Sequence, residues 1–295
     1  MNNKIVWSPK EETSILLEGN FDQNSYSKII RIALFKSLAI NTKIPDWIKF
    51  MSGMSGKKYR YFINNFISLI ADPRYLEIGC WAGSTVCSAL YGNEVKALCI
   101  DNWSEFVDPK TINPSLNVKN PKKEFEINTK KVISEKVNFK FIESDFRKID
   151  YNELGKFNIY NFGGPHEEKD HYDGIVITQP ALDDIFIFIV DDWNYPEVRN
   201  GTHKALKKLN IKIISKIEIK TTQNDKDPQL LKFHFGDWHN GYFIAVCQKQ
   251  VWKNYLYTCF CFKELLSYIL WEKLELGWNW GHVWVFLGGF YFEKL

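Results

Sequence analysis

The sequence predicts an α/β protein: a mostly parallel sheet with helices on both faces. Three observations carry this expectation. Strand-like and helix-like segments alternate from about residue 71 to about residue 250, the run Ile185 to Val190 is almost wholly apolar, and Tyr75 to Ile78 leads through a turn with Gly79 and Gly83 into a helix. Alternation of this kind is the sequence form of parallel strands joined by helical crossovers.

The balance of residues narrows the class. Of 295 residues, 45% are hydrophobic and 25% charged, with 38 Lys and Arg against 35 Asp and Glu for a formal net charge of +3. Such a chain is too apolar and too nearly neutral to be disordered, and it lacks the basic excess of a nucleic-acid-binding domain. Cys80, Cys87, Cys99, Cys247, Cys259 and Cys261 lie mainly in apolar runs without metal-binding spacing, so they read as reduced core residues. With no signal-like apolar stretch behind Lys4, a cytoplasmic location is expected.

Three zones are expected: a helical lead-in over residues 1–70, the α/β domain over 71–250, and an aromatic-rich extension over 251–295. In the first, Tyr59, Phe62, Ile63, Phe66, Ile67 and Ile70 recur at helical spacing behind Ser55-Gly56. In the second, the strand Tyr75 to Ile78 and a helix from about Ser84 to Leu90 are followed by the strand Val95 to Ile100, ending at Asp101. After a loop with Pro109, Pro114 and Pro121 come a helix near Lys122 to Glu135 and the strand Val137 to Ile142, closing on Ser144-Asp145. Phe157 to Phe162 is the next strand, a helix from about Glu167 to Leu182 leads to Ile185 to Val190, and Asp191-Asp192 follows. Pro196 then opens a helix to about Leu209, since Pro in a first turn loses no needed hydrogen bond. Ile211 to Ile219 and Tyr242 to Cys247 are the last strands, with a mobile polar stretch from Thr221 to Gln229 between them and an Asn240-Gly241 turn before the second. The extension holds Trp252, Trp271, Trp278, Trp280 and Trp284. Glycines interrupt its apolar pattern, so it reads as an oligomer or partner contact rather than a membrane span.

The chemistry points to the carboxyl ends of the strands. Gly79 and Gly83 lack a Cβ and let backbone approach a ligand, with Ser84 opening the helix beyond them. Their pattern, Glu77-x-Gly79-x-x-x-Gly83, differs from the G-x-G-x-x-G loop of dinucleotide binders, and an acid before the first glycine suits a cationic ligand. Asp101 and Asp145 end the next two strands, where a carboxylate can meet ribose hydroxyls or an adenine edge. Asp191 and Asp192 could bind a divalent cation, deprotonate an acceptor hydroxyl, or cap the following helix. His166 is the candidate general base, with His239 ranked below it, and Lys57, Lys58 and Arg60 form either an anion contact or a solvated helix face.

Met54 to Arg60, Leu76 to Gly83, Asp101, Gly163-Gly164-Pro165-His166 and Asp191-Asp192-Trp193 occur in an order that resembles class I S-adenosylmethionine-dependent methyltransferases, in particular the bacterial and phage small-molecule group. The resemblance covers about residues 50 to 250 and implies a Rossmann-like, seven-stranded, mostly parallel sheet whose last strand is antiparallel. It also implies methyl transfer to an oxygen or nitrogen of a small molecule. By the same resemblance Glu77, Gly79 and Gly83 line the methionine and ribose part of S-adenosylmethionine, Asp101 holds the ribose diol, Asp145 with Phe146 frames the adenine, and Ser84 belongs to the same cofactor-binding set. Metal-using relatives carry an Asp where this chain has Gly163, which argues against a divalent cation and leaves a weakly active or inactive binding protein as the alternative.

Overall fold

The computed structural model describes residues 5–7, 13–104, 118–222 and 237–250. The strands are β1 (Ile5–Trp7), β2 (Ser14–Gly19), β3 (Arg74–Ile78), β4 (Val95–Asp101), β5 (Val137–Glu143), β6 (Phe157–Phe162), β7 (Leu182–Asp191), β8 (Ile211–Lys220) and β9 (Tyr242–Lys249). The helices are α1 (Ser25–Leu38), α2 (Asp46–Lys49), α3 (Lys57–Leu69), α4 (Ser84–Leu90), α5 (Pro121–Val132), α6 (Glu168–Val176) and α7 (Pro196–Lys208).

All nine strands form one sheet in the order β1-β2-β8-β9-β7-β6-β3-β4-β5. The ladders joining β5, β4, β3, β6 and β7 are parallel, and β9 is inserted antiparallel between β7 and β8. The α/β, Rossmann-like, mostly parallel expectation therefore holds, with nine strands among the described residues where seven were expected. The strand order reverses around β3, which makes the carboxyl ends of β3 and β6 the topological switch point where ligands of such sheets bind.

The two additional strands come from the segment expected to be a helical lead-in. β2 pairs antiparallel with β8, Leu17 opposite Ile217, and β1 pairs with β2. The partners of β2 on β8 lie about two hundred residues away in sequence, so a local pattern does not reveal it, and β1 pairs only with β2. Helix α1 follows, capped by Asn24, whose side chain accepts from the backbone N–H of Tyr26 at 2.8 Å and of Ser27 at 3.3 Å.

Alternation along the strands sorts the core into two layers. Tyr75, Cys99, Ile159, Ile187 and Ile244 pack toward α1, α3, α4 and α5, whereas Leu76, Ile100, Tyr160, Phe188 and Phe243 pack toward α6 and α7. The helix expected to reach Leu182 stops at Val176: Pro180 lacks an N–H, so the chain makes a single 3-10 turn at Gln179–Ala181 and enters β7 at Leu182. Residues 105–117 and 223–236 and the extension over 251–295 lie outside the described residues, and so do the readings placed on them. No helix among the described residues is long and apolar enough to cross a membrane.

Candidate functional site at the carboxyl rim

Parallel register carries four positions onto one row. Ile78 pairs with Ile100 and with Phe162, and Phe162 pairs with Val190, so the next residues along the rim are Asp101, Gly79, Gly163 and Asp191. All four fall on the face that packs α3 and α4, because side chains alternate and Glu77, two residues below Gly79, shares that face with Tyr75. Two glycines thus lie between two aspartates at the switch point.

The left half of this rim is closed by hydrogen bonds. Gly79 turns at φ +85, and a Cβ there would strike the Gly163 carbonyl. Asp101 Oδ2 accepts from the backbone N–H of Cys80 at 2.7 Å and of Trp81 at 2.8 Å, while its Oδ1 accepts from Trp103 N–H at 2.8 Å. The indole N–H of Trp103 in turn donates to the Trp81 carbonyl at 3.0 Å. Asp101, expected to hold a ribose, therefore first holds the glycine loop, and a diol must share the lone-pair directions that remain.

Four of the expected residues on this side have partners within the chain. Ser84 opens α4 as expected, but its hydroxyl lies 2.8 Å from that of Ser55, and a Cβ on Gly53 would overlap it, so it fastens the Met51 to Gly56 segment to the helix. Arg60 is no anion contact: fully buried, its guanidinium donates to the carbonyls of Ile48, Lys49, Met51, Gly53 and Ser55. Burial pulls its pKa down to about 10. Lys58 pairs with Asp237 at 2.7 Å, and Lys57 lies 5.1 Å from the Phe50 ring centroid.

Glu77 lies beneath the loop, 1% exposed, and accepts from the Tyr75 hydroxyl at 2.6 Å. Burial pushes its pKa up to about 8, against the opposing Tyr75 hydrogen bond, and the charge of Asp101 adds to the rise. At neutral pH this carboxyl is mostly protonated, so its attraction for a cation begins only once it loses that proton. Asp145, at the far end of the rim, caps a 3-10 turn by accepting from Arg147 N–H at 3.0 Å. Phe146 is buried edge-on to Phe162, their centroids 5.5 Å apart, within the core layer on the other face of the sheet from Glu77. Gly83 caps α4 in a left-handed conformation, φ +89, with the Phe125 ring 3.3 Å from where a Cβ would stand.

The right half of the rim differs in kind. Asp192, at φ 54, places its Oδ2 2.9 Å from His166 Nε2 and accepts from the Asn240 amide at 2.7 Å through Oδ1. Burial opposes its ionisation, but His166, His239 and Asn240 outweigh burial and hold it well below the usual carboxylate range. Asp191 goes the other way: burial, reinforced by the charge of Asp192, holds its carboxyl well above that range, and its Oδ1 is enclosed without a hydrogen-bond partner. His166 stands half exposed and stacks on Tyr195 at 5.9 Å. Trp193, by contrast, is an anchor of the core, wholly buried against Phe243.

Strain gathers here as well. Trp81, Trp103, Asp192 and His239 have φ values of 44, 51, 54 and 41, and all four flank strand ends at this rim. Each such residue costs about 1–3 kcal/mol, and such strain clusters where function requires it. The sequence did not single out Tyr59, Asn161 or Tyr242, which line the same face: Tyr59 stacks on Tyr242 at 3.8 Å and donates to Asn161 at 2.8 Å. The available signal was Asn161 itself, an amide within the otherwise mostly apolar run FNIYNF. No group of three His, Cys, Asp or Glu among the described residues is placed to hold a metal ion.

No family model matches the sequence, and no curated protein matches it. Solved structures do. The O-methyltransferase TomG from Streptomyces achromogenes, in complex with SAM, is 10% identical with a TM-score of 0.44, over 75% of this chain and 90% of that one. An O-methyltransferase from Bacillus cereus in complex with SAH is 12% identical with a TM-score of 0.41, over 75% of this chain and 91% of that one. A protein from Pyrococcus horikoshii described provisionally as an RNA methyltransferase is 15% identical with a TM-score of 0.40, over 78% of this chain and all of that one.

Proposed function

We propose that this chain binds S-adenosylmethionine at the glycine-bearing rim and transfers its methyl group to an oxygen or nitrogen of a small molecule. The observation that carries the catalytic reading is the His166 Nε2 contact with the buried Asp192 carboxylate at 2.9 Å, beside the two glycines of the switch point. What supports the cofactor is a glycine turn with no Cβ between the ends of β3 and β6, one enclosed carboxyl oxygen without a partner, and the ionised Asp192 as a negative charge for a cation.

When bound, this cofactor supplies an electrophilic methyl carbon on a sulfonium. The chain's own residues do the rest. Asp192 accepts only, so the Nε2 facing it carries the proton and Nδ1 is the basic nitrogen of His166. An acceptor O–H or N–H gives its proton to Nδ1, and the imidazolium that forms is held by the Asp192 carboxylate, itself fixed by Asn240. Asp101 keeps the glycine loop in shape for close approach. No metal enters this scheme, and a near-neutral chain without a basic excess favours a small acceptor over a nucleic acid.

The test is transfer of labelled methyl from S-adenosylmethionine across hydroxyl- and amine-bearing metabolites, with calorimetry of cofactor binding. His166→Ala is expected to lower turnover about 100- to 10,000-fold, a general base's usual share, with cofactor affinity within about twofold. Normal turnover in the variant would remove His166 from the reaction. Binding without turnover in the wild type would favour the alternative, a binding protein on the same fold.

A further inference from the structure

Gly163 and Asp191 stand side by side on the rim row. A Cβ built on Gly163 would lie 2.8 Å from Asp191 Oδ2 and 3.3 Å from both its Cγ and its Oδ1. The Asp191 carboxyl group therefore occupies the room that a side chain at 163 would need, and the neighbouring strand supplies an acid where glycine supplies none. Its Oδ1 is enclosed and accepts no hydrogen bond. A buried carboxyl oxygen left open in this way costs stability unless a ligand completes it.

The surroundings define that ligand's charge. Asp192 faces the group from the turn that follows β7, Glu77 from β3, Tyr59 from α3, Tyr242 from β9, and His166 from the turn after β6. Tyr59 directs its proton to Asn161, Tyr242 accepts from the Gly56 N–H, and His166 Nε2 is committed to Asp192. Of these five groups only His166 can carry positive charge, so the open oxygen is matched by a hydrogen-bond donor that brings its own.

Resting on the cofactor reading above, we propose that Asp191 receives the α-ammonium group at the amino-acid end of the cofactor, a binding role distinct from the proton transfer assigned to His166 and Asp192. Because burial and the charge of Asp192 favour the protonated form of Asp191, engaging an ammonium group draws that proton off, and binding then releases it to buffer.

The experiment compares two neutral-sulfur ligands by calorimetry at pH 6.5: S-adenosylhomocysteine, which carries the ammonium, and 5′-methylthioadenosine, which lacks the amino-acid end. Asp191→Asn is expected to weaken the first by about 10- to 100-fold, the range of a charge-assisted hydrogen bond, and the second by less than about twofold. In the wild type, enthalpies in two buffers of different ionisation heat should show proton release with the first ligand and none with the second. Gly163→Ala, whose methyl would displace the carboxylate without changing residue 191, should weaken the first ligand selectively. Equal loss for both ligands, or loss for neither, with the wild type binding both would overturn this assignment alone. Wild-type protein that binds neither would overturn the cofactor reading and this inference with it.

Discussion

Asp101 and Asp191 flank the same pair of glycines, on the same face and at the same level of the sheet, yet they are opposites in their chemistry. Asp101 takes three backbone N–H groups at 2.7 to 2.8 Å, while Asp191 offers an enclosed oxygen to nothing. One carboxylate shapes the backbone and the other awaits a partner. The contrast teaches that a strand-end acid is classed by which of its lone pairs are already taken, a property its position in sequence does not display. Arg60, fully engaged by carbonyls, belongs with Asp101.

If full engagement means a structural role, the largest effect should come from Arg60. Arg60→Met leaves several buried carbonyls without a donor, and each such unsatisfied group costs about 1–3 kcal/mol, so a loss of several kcal/mol is expected. Denaturant unfolding of the ligand-free protein measures it. A change below about 1 kcal/mol would show that the segment from Ile48 to Ser55 does not depend on the guanidinium, and the contrast would weaken.

Asp101→Ala comes next, at about 2–4 kcal/mol, because three partly buried N–H groups lose a charge-assisted acceptor worth about 1.5–3 kcal/mol each and water restores part of the loss. The same unfolding experiment without cofactor separates loop closure from ribose binding. A variant of wild-type stability that fails only in binding the cofactor would put Asp101 in the same class as Asp191 and dissolve the comparison.

The fold was legible where the pattern is local. Apolar runs and strand-end acids marked β3 to β7, because a strand buried on both faces is written in consecutive residues. β2 was not, since Leu17 finds its partner in Ile217 only through the folded sheet, and β1 pairs only with β2. At the site, residue types were legible and their pairings were not. His166 and Asp192 stood out separately, and only the turn at φ 54 brings the carboxylate to the imidazole. Ser84 and Arg60 matched a ligand-binding pattern by type and spacing, but their partners are Ser55 and a ring of carbonyls, which the sequence does not announce.

Glu77 sharpens the comparison through pH. It is buried with one partner, between the extremes of Asp101 and Asp191. Its folded pKa of about 8 lies above the ordinary value of 4.5, so its contribution to stability is fully present below about pH 4.5. As pH rises from there toward 8 the unfolded chain loses the proton first, and stability falls by up to about 1.4 kcal/mol per pH unit. Glu77→Gln should flatten the curve of unfolding free energy against pH in that window, leaving the part that Asp191 contributes in the same direction. An unchanged slope would mean that Glu77 ionises as readily in the folded protein as in the unfolded chain.

The smallest effect belongs to Lys58. Its ammonium meets Asp237 at 2.7 Å, but the aspartate side chain is 49% exposed, and exposed pairs contribute about 0–1 kcal/mol. What fixes this corner is backbone: the N–H groups of Lys58 and Tyr59 donate to the Asp237 carbonyl at 2.9 and 3.2 Å, satisfying the open amino end of α3. Lys58→Met should therefore leave unfolding free energy within about 1 kcal/mol, with little salt dependence. An anionic acceptor that bound an order of magnitude more weakly to this variant would show that the lysine leaves Asp237 for a ligand, and that a surface pair at this rim is as available as the enclosed oxygen of Asp191.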